Sequence, residues 1–171
     1  MSIDLSLPVR LAGPEDEDEL LRLCRAKHGE EALRNAAGQP FRFSEDKARA
    51  TLHRAILQRR NDPDAGEAWC AVVAAPNGVI AGSSYLTVQT PHDSDDAYLC
   101  EHWAWIWPEH RKSDVGRRLL MWSQAKAVSM GLPLIGGVVS YDEDSPKMRF
   151  FKRAGFEPLA SLYLYTGEQV N

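Results

Sequence analysis

Polar and apolar positions change rhythm several times along the chain, and each change marks an element. Val9-Arg10-Leu11 is a short apolar run ahead of Gly13-Pro14 and predicts a first strand. Pro14 and the acidic stretch Glu15 to Glu19 predict a helix start, because proline suits the first turn and acids complement the helix dipole. Leu20, Leu21, Leu23 and Cys24 continue that helix at helical spacing. A second helix runs from Ser44, a capping residue, through Arg60, with Ala48, Leu52, Ala55 and Ile56 as its apolar positions. From Ala68 the rhythm becomes that of strands. AWCAVVAA, the turn Pro76-Asn77-Gly78 and VIAGSSYLTVQT predict an antiparallel hairpin. His92 to Asp96 is a polar loop, and Tyr98 to Trp107 is an aromatic-rich strand. VGRRLLMWSQAKAVSM is helical, with Val115, Leu119, Met121 or Trp122, and Ala125 on its inner face and Gly131 as its cap. LPLIGGVVSY predicts a buried strand, Ser145-Pro146 opens a helix that ends at Gly155, and Leu159 to Thr166 forms a last strand.

The order is β-α-α-β-β-β-α-β-α-β, a mixed α/β sheet with helices on both faces. The segment from Tyr98 to Tyr141 is a strand–helix–strand unit, expected as a right-handed parallel crossover. The 171 residues suit one domain, 1–171. A net charge of −4 argues against a broad nucleic-acid-binding face. Cys24, Cys70 and Cys100 form no CxxC pair, so neither a zinc site nor a disulfide framework is expected, and no metal is called for. The first residues lack an apolar signal core and no run reaches the roughly 20 residues that span a bilayer, so a cytoplasmic protein without membrane contact is expected.

Charge becomes locally basic where the aromatic strand meets the following helix. Arg111, Lys112, Arg117 and Arg118 cluster there with Gly116. A helix N-terminus presents unpaired N–H groups and partial positive charge, and a glycine lets the backbone approach a diphosphate closely.

The pattern Ile106-x-Pro108-x-x-Arg111-x-x-x-Val115-Gly116-x-x-Leu119-Leu120 resembles the coenzyme motif of the GNAT superfamily (GCN5-related N-acetyltransferases). Phe150-Phe151-Lys152-Arg153-Ala154-Gly155-Phe156 is similar to that family's LYEKxGF signature, and VRLAGPEDEDELLRL to its first strand and acidic helix. The resemblance covers nearly the whole chain. It implies a GNAT-like, mostly antiparallel central sheet with one parallel crossover, and transfer of an acetyl group from acetyl-CoA to an amine by direct attack. It further implies that backbone atoms of Ala104, Trp105 and Ile106 pair with the pantetheine arm. N–H groups from Arg111 through Lys112, Ser113, Asp114, Val115, Gly116 and Arg117 would hold the diphosphate, and Asp144 lies where the family often has a coenzyme-side asparagine. Two residues depart from the pattern. Asp114 replaces a glycine, and its carboxylate is expected to point outward or bond within the loop. Phe151 stands where the family often has an acidic tyrosine, and Tyr163 or Tyr165 could supply that hydroxyl.

Glu101 and His102 lie on the strand before the loop and are both candidate general bases. Adjacent strand residues face opposite sides, so at most one faces a cleft unless a bulge intervenes. Trp103, Trp105 and Trp107 share one face, as packing or as a pocket wall. Ser140 and Tyr141 lie where acceptor contacts are expected, and residues 28–42, with Asn35, Gly38 and Pro40, are expected in the acceptor wall. The acceptor is a small-molecule or peptide amine, and the acidic loop 92–96 would favour a cationic one if it rims the cleft. A homodimer stays open. A coenzyme-binding regulatory domain without catalysis is the alternative reading.

Overall fold

The computed structural model describes residues 8–34, 42–61, 68–75, 77–136 and 146–157. The chain divides into two compact units, Met1–Gly137 and Val138–Asn171. In the first unit a five-stranded sheet has the order β1-β2-β3-β4-β5. Its strands are β1 (Val9–Leu11), β2 (Ala68–Ala74), β3 (Ile80–Gln89), β4 (Tyr98–Ile106) and β5 (Leu134–Gly136). Neighbours are antiparallel except β4 and β5, which run parallel. Helix α3 (Val115–Met130) connects that parallel pair.

Period-two alternation divides the strand residues between two cores. On one face Cys70, Val72, Tyr85 and Trp105 pack with Leu20 and Leu23 of α1 (Glu17–Arg34) and Leu52 of α2 (Glu45–Asn61). On the other, Ala71, Val73, Leu86 and Leu99 pack around Val115, Leu119 and Ala127 of α3. Full burial of each large aliphatic side chain contributes roughly 1.5–3 kcal/mol, so both faces need their helices.

The inner stripe of α3 differs from the sequence expectation. Val115, Leu119, Leu120, Ser123 and Ala127 are buried, Trp122 is half-buried, and Met121 and Ala125 face solvent. Ser123, four residues beyond Leu119, takes an inner place because its hydroxyl donates to the buried Glu101 carboxylate of β4. Gly131 closes α3 at φ 66°, a left-handed conformation that costs glycine no Cβ clash.

The first helix begins one turn later than its proline. Pro14–Asp16 forms a short 3-10 turn, and Asp16 is its anchor. The buried Asp16 carboxylate accepts from the Gly13 N–H at 2.8 Å and from Arg10 at 2.5 and 2.7 Å. Burial alone would raise its pKa, but Arg10 and the Gly13 N–H outweigh that and hold it below 3.8. The stabilisation is therefore complete above the unfolded-state value and lost as pH falls through the lower folded value. Asp16→Ala is expected to cost about 1–3 kcal/mol, read as a lowered urea midpoint near neutral pH, with the difference from wild type shrinking in acid.

In the second unit, α4 (Pro146–Arg153) begins at its proline. Phe151 is buried and meets Phe150 and Phe156 edge-on, with ring centroids 5.9 and 5.0 Å away. The expected strand at 159–166, and with it Tyr163 and Tyr165, lies outside the described residues. So do Asn35, Gly38, Pro40, Ser140, Tyr141 and Asp144.

Candidate active site

Strand β4 carries a bulge that decides where its polar residues go. Tyr85 of β3 pairs with Trp103, and Leu86 pairs with Glu101, which leaves His102 as the extra residue. Glu101 therefore faces α3, whereas His102 and Trp103 both face α2. The tryptophan stripe continues on the α2 side, because Trp105 and Trp107 pack into the α1–α2 core. Trp103 stacks on Tyr85 at 4.5 Å and donates from Nε1 to the Ser83 hydroxyl.

Glu101 is 2% exposed. Its Oε1 accepts from the hydroxyls of Ser84 at 2.9 Å and Ser123 at 3.0 Å. The residue thus ties β3, β4 and α3 together on the side away from His102. Glu101→Ala removes the acceptor for both hydroxyls and is expected to cost about 1–3 kcal/mol, measured as a fall in thermal midpoint; the double variant with Ser123→Ala should cost less than the sum of the two.

His102 lies at the mouth of a recess of about 350 Å³ between α2 and the sheet. Its Nε2 is 2.7 Å from Thr87 Oγ1, with Gln89 Nε2 at 3.4 Å. The ring leans on Tyr85 with centroids 5.5 Å apart. Desolvation lowers its pKa from 6.5. Burial raises the Tyr85 phenol, against the opposing field of Arg54.

Downstream, Pro108–His110 forms one 3-10 turn and α3 starts at Val115. The Arg118 N–H makes the first intrahelical bond, to the Asp114 carbonyl at 3.0 Å. The N–H groups ahead of it are not all free. Arg111 donates to Pro108, Ser113 to His110, and Val115 to Ser113 Oγ. Among the described residues, none accepts from the N–H groups of Gly116 and Arg117. The expected run of donors from Arg111 to Arg117 is thereby narrowed, because the turn uses three of them internally. Gly116 lies against β4, and a Cβ there would come within 2.9 Å of Ile106 Cδ1.

The loop's charges are also arranged differently from a simple basic cluster. The Asp114 carboxylate meets Arg118 Nε at 2.6 Å and Arg117 at 3.9 Å, so it is tied to the first turn of α3 and not to another loop residue. Ser113 takes no part in this; its hydroxyl donates to the His110 carbonyl. The Arg111 guanidinium pairs with Glu30 of α1, which also accepts from Trp105 Nε1 at 3.1 Å. Lys112 and Arg117 are exposed.

Strand alternation sorts the expected pantetheine contacts. The Trp107 N–H bonds Ala81 of β3, so Trp105 also turns its backbone groups to β3, while Ala104 and Ile106 turn theirs the other way. The Ile106 carbonyl accepts from Arg111 Nε at 3.1 Å. Trp105 is thus a core residue whose backbone serves the sheet.

Arg54, Tyr85, Thr87, Gln89 and Glu30 were not singled out in the sequence. Tyr85 and Thr87 carry a signal there, since Ser83, Tyr85 and Thr87 alternate onto the His102 face. Arg54 and Glu30 sit among other charged helix residues and have none. Among the described residues, no group of three or more His, Cys, Asp or Glu side chains could hold a metal ion, and no helix is long and apolar enough to cross a membrane.

No family model matches the chain, and no curated protein matches it in sequence. Solved structures do match in shape. An acetyltransferase from Trypanosoma brucei aligns with TM-score 0.63 at 18% identity, over 94% of this chain and 99% of that one. AAC(6')-Iy, in complex with the bisubstrate analog CoA-S-monomethyl-acetylneamine, aligns with TM-score 0.65 at 12% identity, over 95% and 99%. A ribosomal-protein-alanine N-acetyltransferase from Brucella melitensis biovar Abortus 2308 aligns with TM-score 0.64 at 15% identity, over 93% and 97%. The fold is that of the GNAT-like acetyltransferases.

Proposed function

We infer that this chain is an acetyl-CoA-dependent N-acetyltransferase. One observation carries the reading: the strand that holds His102 at a recess leads directly into a helix start with unengaged N–H groups at Gly116 and Arg117. Such a start binds a diphosphate through backbone donors and the helix dipole. Gly116 keeps the approach open, while Lys112 and Arg117 add charge. A neighbour of the same fold is complexed with a coenzyme A bisubstrate analog, which supports the same ligand here.

The chemistry follows from the side chains in place. The amine nitrogen attacks the thioester carbonyl carbon, the carbon–sulfur bond breaks, and the coenzyme leaves as thiolate. The amine proton passes to His102. The neutral imidazole has one nitrogen lone pair to accept it, and the Thr87 hydroxyl, able to donate or accept, holds the ring at Nε2. Desolvation keeps that imidazole neutral near neutrality. A free thiol has a pKa near 8.5, so its thiolate departs without an acid in the position of Phe151. A cysteine acyl-enzyme is disfavoured, because burial pushes the Cys24 thiol up to about 11 and raises Cys100, and Cys70 is buried.

Calorimetric titration with acetyl-CoA tests the coenzyme, and thiol release with a panel of amines tests the transfer. Heat of binding without thiol release would favour the regulatory reading, which the departures at Asp114 and Phe151 support. Absence of both would sink the acetyltransferase.

A further inference from the structure

The recess beside His102 has a marked asymmetry of charge. Its polar lining comes from Thr51 and Arg54 of α2, Tyr85, Thr87 and Gln89 of β3, and His102 of β4. The His102 ring is favoured in its neutral form, so Arg54 is the one formal charge among these groups. Arg54 is exposed, and its field reaches the Tyr85 phenol. It forms no hydrogen bond or ion pair with any described residue, whereas Arg49 on the same helix pairs with Glu17 and Glu45. The turn holding Asp93, Asp95 and Asp96 is exposed and contributes nothing to the lining.

A guanidinium presents a planar fork that matches a carboxylate, and an ion pair at the edge of an apolar wall is screened less than one in open water. Trp103 and Tyr85, stacked on each other, form that wall. An ammonium entering the recess would meet Arg54 as a like charge. A neutral amine on a molecule that also bears an anion would meet a partner for each end: Arg54 for the anion, His102 for the amine.

We propose that the acceptor is an amine carrying a carboxylate, an amino-acid-like molecule or a chain end of that chemistry, with Arg54 as the residue that selects it. This rests on the acetyltransferase reading and narrows its substrate class. It runs against the cationic acceptor expected from the acidic loop, because that loop lies outside the recess.

The test uses the full chain and matched pairs of amines, each an amino acid and its carboxamide. The carboxylate member is expected to show about tenfold higher kcat/KM. Arg54→Gln should bring the ratio close to one, chiefly through KM for the amine, with KM for acetyl-CoA unchanged. Equal or better turnover of the carboxamides by the wild type, or a ratio that survives Arg54→Gln, overturns the proposal and leaves the acetyltransferase standing. A binding readout covers the case of slow turnover. The imidazole NMR signals of His102 should shift on titration with the N-acetylated amino acid and move less with its carboxamide; equal response, or none, overturns the proposal. Failure of the wider reading is distinguishable, since it would appear as absent heat with acetyl-CoA alone.

Discussion

Replacing His102 with alanine is expected to lower kcat/KM for an amine acceptor by about 10²–10⁴, with acetyl-CoA affinity unchanged. The size follows from the role. A positioned base removes the proton from an attacking amine, and its loss leaves only water to do so. The bulge supplies the position, because as the extra residue His102 is turned to the α2 side with Thr87 Oγ1 on its Nε2. Tyr85, Thr87 and Gln89 of β3 touch the ring, and Thr51 and Arg54 of α2 line the same recess; none of them is an anion. Desolvation favours the neutral ring and lowers its pKa from 6.5. Below the folded pKa the imidazolium has no lone pair to accept a proton, so the wild-type profile should carry an acid limb that falls away as pH drops through a value under 6.5. In His102→Ala that acid limb disappears, leaving the rise that comes from deprotonating the acceptor amine. Glu101→Gln should instead lower the thermal midpoint and keep the acid limb. A pH–rate profile in which Glu101→Gln loses the limb and His102→Ala retains it would reverse the assignment.

Much of the fold was legible because it is governed by periodicity. Each core face of β2 and β3 follows simple alternation, and Pro14, Gly131 and Pro146 mark helix ends through their backbone chemistry. The site was legible only in part, for three physical reasons. The bulge at His102 depends on cross-strand register, which no run of residues in β4 encodes alone; without it Glu101 and Trp103 would share a face. Glu101 is charged in the sequence yet buried, because two serines 17 and 22 residues away converge on it. Arg111 reads as a phosphate-binding cation, but it is paired with Glu30, 81 residues earlier. The last two are long-range pairings of polar groups, and polar pairs leave no periodic trace. The division of labour in the loop follows from the same point. Arg111 and Arg118 are structural, each held by a carboxylate, and Arg117 shares Asp114 at 3.9 Å, so positive charge toward a ligand falls first to Lys112 and the backbone.

That division makes Gly116 the most sensitive position for coenzyme binding. Gly116→Val is expected to weaken acetyl-CoA binding by roughly 10–100-fold, the equivalent of losing one charge-assisted hydrogen bond or two neutral ones. The argument has two parts. The Gly116 and Arg117 N–H groups lie ahead of the first helical bond and, with those of Lys112 and Asp114, are the loop donors the turn leaves over. A side chain at 116 must also contend with β4, since even its Cβ would lie 2.9 Å from Ile106 Cδ1. Alanine brings only that contact, and the end of the Ile106 side chain can turn away. Valine adds two methyl groups that cannot all be accommodated by one rotamer change, so the helix start must shift away from β4. Gly116→Ala should therefore lose much less affinity than Gly116→Val, and calorimetry on the pair separates the two causes. A thermal midpoint that falls equally in both variants, with acetyl-CoA affinity intact, would mean that Gly116 serves packing alone and that the diphosphate is held elsewhere.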